Sequence, residues 1–263
     1  MKRKIPLFLM VLLLLFQSFA AAASPIAVEF DGQPFSSGLI SGNTTYIPLR
    51  TLLNTLDDWS LQWDAANRSA LARTSQGRTL RAGSGQGGLE LDGISYSWAQ
   101  NNFVQDGTFY IPLRLVCSTL GLSVGWEGSR RTAYIASVST SYTQDELYWL
   151  ARIIYAESGG ESLEGQIAVG NVVLNRVASP QFPNDIYNVI FDRENGVQFE
   201  PVSNGTVYND PSPLSYTAAR MALEGCNVIG SCLYFFNPSL SQGTWIAGNR
   251  SYYRTIGCHR FYL

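Results

Sequence analysis

The sequence predicts an α+β chain of two domains, and three observations carry the prediction. A segment recurs within the first half: TYIPLRTLLNTLDDWSLQWDAANRSALA (residues 45–72) matches FYIPLRLVCSTLGLSVGWEGSRRTAYIA (residues 109–136). The pattern changes at Thr143, where apolar residues begin to recur with helical spacing. Beyond Pro183 the chain turns loop-rich, with Asn195-Gly196, Asn204-Gly205 and Pro211 marking turns and short aromatic runs that read as strands. At 263 residues the chain is long enough for both domains.

Residues 1–23 carry the marks of a cleaved secretory signal peptide. Lys2, Arg3 and Lys4 precede the apolar run Ile5 to Phe16, and Ala21-Ala22-Ala23 offers a small-residue cleavage site before Ser24. The run is short for a membrane span, and an uncleaved anchor is the alternative. Without those three cations, 18 basic residues fall to 15 against 20 acidic ones, so the exported chain is near −5. No basic tract remains, which argues against a nucleic-acid partner.

In the repeat, Tyr46, Pro48 and Arg50 recur as Tyr110, Pro112 and Arg114, and Trp63 recurs as Trp126. Each copy reads as a strand, a helix with its proline in the first turn, then a strand or hairpin ending in Trp-Asp or Trp-Glu. Residues 83–88, GSGQGG, form a flexible turn between the copies. The pattern resembles the copper amine oxidase N-terminal-like domain, a repeat found in exported Gram-positive proteins beside wall enzymes. Copper is not implied, because this segment has no histidine. It also shows no acid or nucleophile constellation, so packing accounts for the motif and a wall-binding or spacer role is the functional alternative. Residues 24–137 are assigned to this domain and residues 138–142 to a polar linker.

The second domain, residues 143–263, opens with a T-x-x-E capping box at Thr143 and Glu146. Leu147, Leu150 and Ile154 form one helical face, Glu157 falls on it, and Gly159-Gly160 stops the helix. A carboxyl on an apolar stripe has its charged form disfavoured by desolvation, which suits a general acid near neutral pH. A solvated surface glutamate is the alternative. A second helix is predicted from about Leu163 to Ala178. On it Asn171 and Asn175 share a face, placed to bind a sugar or to cap nearby backbone. Leu233 to Phe236 and Arg254 to Tyr262 read as strands.

Cys117, Cys226, Cys232 and Cys258 permit a disulfide after export, with Cys226–Cys232 closing the shortest loop and the connectivity open. One histidine, His259, and no C-x-x-C pair point to no metal and no cofactor. A Cys–His peptidase is disfavoured: on a strand, Cys258 and His259 face opposite ways.

The run YAESGGESLEGQIAVGNVVLNRV resembles the SleB, or spore cortex-lytic enzyme, family of cell wall hydrolases. The resemblance continues in order through SPQFPNDIYNVIF, QFEPV, AARMALEG, LYFFNP and TIGCHRF. It implies a small lysozyme-like α+β catalytic domain that cleaves the glycan β-1,4 bond of peptidoglycan, with Glu157 as catalytic acid/base. The substrate-binding candidates are Glu161, Asn175, Gln198, Phe199, Tyr234, Asn237, Trp245 and His259. A lytic transglycosylase needs one such carboxyl. A water-using muramidase or glucosaminidase needs a second, for which Glu161, Asp192 and Glu200 are the candidates. A wall-binding protein with an inactive hydrolase-like domain is the other alternative. The implied location is secreted, at the cell wall or at the spore cortex during germination, with wall or spore-coat protein partners left open.

Overall fold

The computed structural model describes residues 23–56, 58–137, 141–194, 196–241 and 244–263. Residues 1–22 of the signal peptide and most of the linker expected from the sequence lie outside these residues.

The first half is built from strands. They are β1 (Ser24–Phe30), β2 (Gln33–Ser41) and β3 (Thr44–Pro48), then α1 (Leu49–Thr55), β4 (Ser60–Asp64), β5 (Ser69–Arg73), β6 (Thr79–Gly83), β7 (Gly87–Leu91) and β8 (Ile94–Asn101). There follow β9 (Phe103–Gln105), β10 (Thr108–Pro112), α2 (Leu113–Leu120), β11 (Ser123–Glu127) and β12 (Thr132–Ala136). Seven strands form one sheet in the order β11-β12-β1-β2-β3-β10-β9, and five form a second, β4 to β8 in sequence order. The two repeat copies meet as antiparallel neighbours, with Tyr46 opposite Pro112, Ile47 opposite Ile111 and Pro48 opposite Tyr110. Each copy supplies the same strand to the same core, and both isoleucines are fully buried. Pro48 and Pro112 stand at the helix N-caps, one position earlier than predicted. There their missing N–H costs no strand or helix bond. Asp31-Gly32, Asp92-Gly93 and Asp106-Gly107 all have positive φ, the backbone that tight right-twisted hairpins require.

The second half contains α3 (Gln144–Ser158), α4 (Leu163–Val177), α5 (Ile186–Phe191), α6 (Glu200–Asn204), a 3₁₀ turn (Thr206–Tyr208) and α7 (Pro213–Leu223). It closes with β13 (Tyr234–Phe236), α8 (Thr244–Asn249), β14 (Tyr252–Ile256) and β15 (His259–Tyr262). The capping box is present in full at Thr143. Gly170 lets α4 approach its neighbours closely: a Cβ there would sit 2.9 Å from Ile154 of α3 and 3.4 Å from Ala222 of α7. The stretch from Arg254 to Tyr262 is a hairpin of β14 and β15 rather than one strand, with Gly257 at φ +54 in its turn. Cys258 therefore lies in the turn, and the strand-face argument does not apply to it. Helix α7 went unpredicted, although Ser212 caps it and Pro213 begins it. All four cysteines are free, including Cys226 and Cys232.

The two halves share one hydrophobic core that runs from Ile26 and Leu113 through to Leu150 and Ala222. At their contact, Arg114 of α2 donates to the Glu224 carbonyl at 2.5 Å, and Ser118 Oγ donates to its carboxylate at 3.4 Å. The first repeat uses its equivalent arginine, Arg50, internally, donating to the Leu61 carbonyl. Burial pushes the Glu224 carboxyl up to about 7, with Arg114 opposing the shift. Cutting the chain at an engineered protease site between Ser137 and Tyr142 should therefore leave the fragments associated. They should co-elute on size exclusion and separate after Arg114→Ala, which leaves a buried carboxyl without its cation.

Candidate active site

Glu157 sits in the last turn of α3, on the end that the Gly159-Gly160 turn frees from the helix. Gly159 is required there, since a Cβ would lie 2.6 Å from the Tyr155 carbonyl. Ser158 is buried and turns its hydroxyl back to the Ile154 carbonyl at 2.8 Å, closing the helix rather than facing a ligand. Gln166 of α4, fully buried, donates to the carbonyls of Gly159 and Glu161 and accepts from Ser215 Oγ at 2.8 Å. The turn that aims Glu157 is thus tied to α4 and α7.

A cleft of about 1490 Å³ opens over this turn. That exceeds the roughly 300–1,000 Å³ of small-ligand pockets and suits a polymer. Glu157, Glu161, Asp192 and Glu200 all line it, with Gln198, Tyr234, Asn237, Trp245 and His259. The Glu157 carboxyl is pushed up to about 7, chiefly by desolvation and then by the Glu200 charge, while Arg176 pulls the other way.

Arg176, in the last turn of α4, is a cleft residue that sequence reasoning missed. It is buried, its Nε donates to the Leu233 carbonyl at 2.9 Å, and its guanidinium packs on the rings of Phe182, Phe199 and Tyr234 at 4.9, 5.0 and 5.8 Å. Burial lowers its own pKa to about 10. An arginine directly before the second helix's end reads as a dipole partner, and only packing shows it turned inward. Arg250, also missed, stacks on Tyr234 and Trp245 at 4.6 and 5.2 Å and donates to the Tyr234 hydroxyl at 2.9 Å, stiffening the rim.

Glu161 is held in a built niche. Its carboxylate accepts from the Cys258 N–H at 3.2 Å and lies 3.8 Å from His259 Nδ1. A Cβ on Gly257 would fall 1.7 Å from Glu161 Oε2, so that glycine makes room for the carboxylate. His259 is buried, and burial lowers its pKa against the pull of Glu161.

Two predicted binding residues lie elsewhere. Asn175 turns away from the cleft and donates to the carbonyls of Gly230 and Cys232 at 2.8 and 2.9 Å. Its neighbour Asn171 donates to the Cys226 carbonyl and accepts from the Val228 N–H. Those loop carbonyls have no strand partner, and the asparagine pair supplies one. Phe199 is buried beneath the Arg176 guanidinium and serves as its support. Among the described residues, no group of three or more His, Cys, Asp or Glu side chains is arranged to hold a metal ion. The first half has no histidine and its one cysteine, Cys117, is buried, so its residues do not fit a copper centre.

Comparison with known proteins bears on both halves. Residues 160–262 match the family described as Cell Wall Hydrolase, and residues 25–135 match the Copper amine oxidase N-terminal domain. The first match opens just after Glu157. The spore cortex-lytic enzyme of Bacillus cereus is 37% identical over 125 residues, covering 48% of this chain and 47% of the relative. That of Bacillus subtilis is 34% identical over 132 residues, covering 50% and 42%. The chain thus spans about half the length of these curated relatives. Among solved structures, the catalytic domain of the germination-specific lytic transglycosylase SleB from Bacillus anthracis is 36% identical. It covers 48% of this chain and 100% of that one, with a TM-score of 0.44.

Proposed function

We propose that this chain, whose residues 160–262 match the cell wall hydrolase family, cleaves the glycan strand of peptidoglycan by acid/base catalysis at Glu157. The observation that carries this reading is one carboxyl, held at about 7, in a cleft sized for a polymer. At that pKa the group serves as acid and base in turn at neutral pH. Glu157 gives its proton to the glycosidic oxygen as the bond to the muramyl anomeric carbon breaks. The resulting carboxylate takes the proton of the muramyl 6-hydroxyl while that oxygen attacks the same carbon. A 1,6-anhydro end forms, Glu157 regains its proton, and no water is consumed. Arg176 favours the carboxylate needed for the second half of this cycle.

Glu161, His259, Gln198, Tyr234, Asn237 and Trp245 serve as substrate contacts, the aromatic rings taking the apolar faces of sugars. Residues 24–137 form a module docked on the catalytic domain, and the mature chain acts outside the cell, at the wall or spore cortex. A water-using route is the second reading, favoured by Glu200, whose charge acts on Glu157. Mass spectrometry of digested peptidoglycan tests both. Anhydro-muramyl ends are expected. Reducing ends alone would replace transglycosylation by hydrolysis, and freed stem peptides alone would overturn glycan cleavage.

A further inference from the structure

Beside the cleft the catalytic half carries an aromatic cluster that no step above uses. Trp149 of α3 is its hub, with ring centroids 5.1 Å from Tyr148, 5.2 Å from Tyr187, 5.2 Å from Phe191 and 6.3 Å from Tyr208. Trp149 is half-buried, but the three tyrosines around it are open to solvent: Tyr208 is 60% exposed, Tyr187 48% and Tyr148 40%. Core packing does not account for tyrosines this exposed, gathered on one surface.

The cluster is rigidly mounted. Arg152, itself buried, lies over the Tyr148 ring at 4.4 Å, donates to the carbonyls of Tyr208 and Asn209, and pairs with Asp210 at 2.9 Å. This fixes the 3₁₀ turn that carries Tyr208 against α3. The cluster also adjoins the cleft through its chain neighbours. Thr206 and Asn209, on either side of Tyr208, line the cleft, and so does Asp192, which follows Phe191.

We propose that Tyr208, Tyr187 and Tyr148, arrayed on Trp149, form a distal carbohydrate subsite that holds a sugar unit of the glycan strand beyond the cleft. The inference rests on the reading of the cleft as a glycan site. The chemistry matches a sugar: ring faces take its axial C–H groups, and tyrosine hydroxyls at the edge take its hydroxyls. The surface is pre-organised by Arg152, so little ordering opposes binding.

The test uses the full chain with Tyr187→Ser and Tyr208→Ser together, in a Glu157→Gln background for binding and in the parent background for turnover. Binding to long, peptide-stripped glycan strands should weaken about tenfold, as expected for the loss of two aromatic contacts. Turnover of a tetrasaccharide confined to the cleft should be unchanged. Tyr187→Phe with Tyr208→Phe should keep most of the binding. Undiminished binding of long strands by the folded serine variant would overturn the subsite. So would an equal loss on the tetrasaccharide, which would mark damage to the cleft. Loss on intact wall but not on stripped strands would assign the surface to stem peptide or protein instead. Full lysis by Glu157→Gln alone would instead strike the reading of the cleft, a separately visible outcome.

Discussion

Glu157→Gln should lower peptidoglycan cleavage by ~10²–10⁴-fold while leaving the fold intact, because the amide cannot give its proton to the leaving oxygen. The parent enzyme should lose rate as pH rises through about 7, where the acid form disappears. The same shift has a stability consequence of defined sign. The folded-state pKa of about 7 lies above the ordinary 4.5, so the folded chain holds this proton more tightly than the unfolded one. The contribution is fully present below 4.5, is lost as pH rises to about 7, and stays lost above it. Glutamine escapes that loss. At pH 8 the variant should be the more stable protein, by up to ~2–3 kcal/mol, and the two should converge near pH 4. Thermal melts across pH, read beside pH–rate profiles, check both statements. A variant that is inactive and also less stable at pH 8 would mean that Glu157 supports the fold rather than the chemistry.

Arg176→Met should cost ~2–4 kcal/mol of stability, by stranding the Leu233 carbonyl and emptying the stack on Phe182, Phe199 and Tyr234. Its second effect separates it from a merely structural residue. The guanidinium opposes desolvation at Glu157, so its removal lets the carboxyl pKa climb above 7. The alkaline limb of the pH–rate profile should move upward, because the acid form that starts the cycle then persists to higher pH. Arg176→Lys should keep the limb closer to its original position, since the charge is retained even though the planar stack is not. An unmoved limb in a folded Met variant would remove Arg176 from the acid/base machinery.

Much of this was legible in local pattern. The capping box, the Leu147-Leu150-Ile154 stripe and the double glycine sit within a few residues of one another. They place Glu157 at a helix end, and desolvation then follows from its face. The repeat was equally plain, because two copies of one strand–helix unit need the same residues in the same order. Tertiary structure alone decided where the longer-range partners lie. Asn175 reads as a polar residue available to a ligand until α4 meets the loop from Cys226 to Cys232, whose carbonyls claim it. Phe199 and Arg176 are distant in sequence, and only the closure of the cleft stacks one beneath the other. Glu161 reads as one of several candidate carboxylates until Gly257 and the Cys258 N–H are brought across to make its niche. A polar linker is a local signal and does not show the surface that joins the two domains. The surface joining them is built from residues such as Arg114 and Glu224, and their pairing depends on how α2 packs against α7. Hydrogen-bond satisfaction and burial are properties of the assembled chain, so local periodicity positions the acid but does not choose its surroundings.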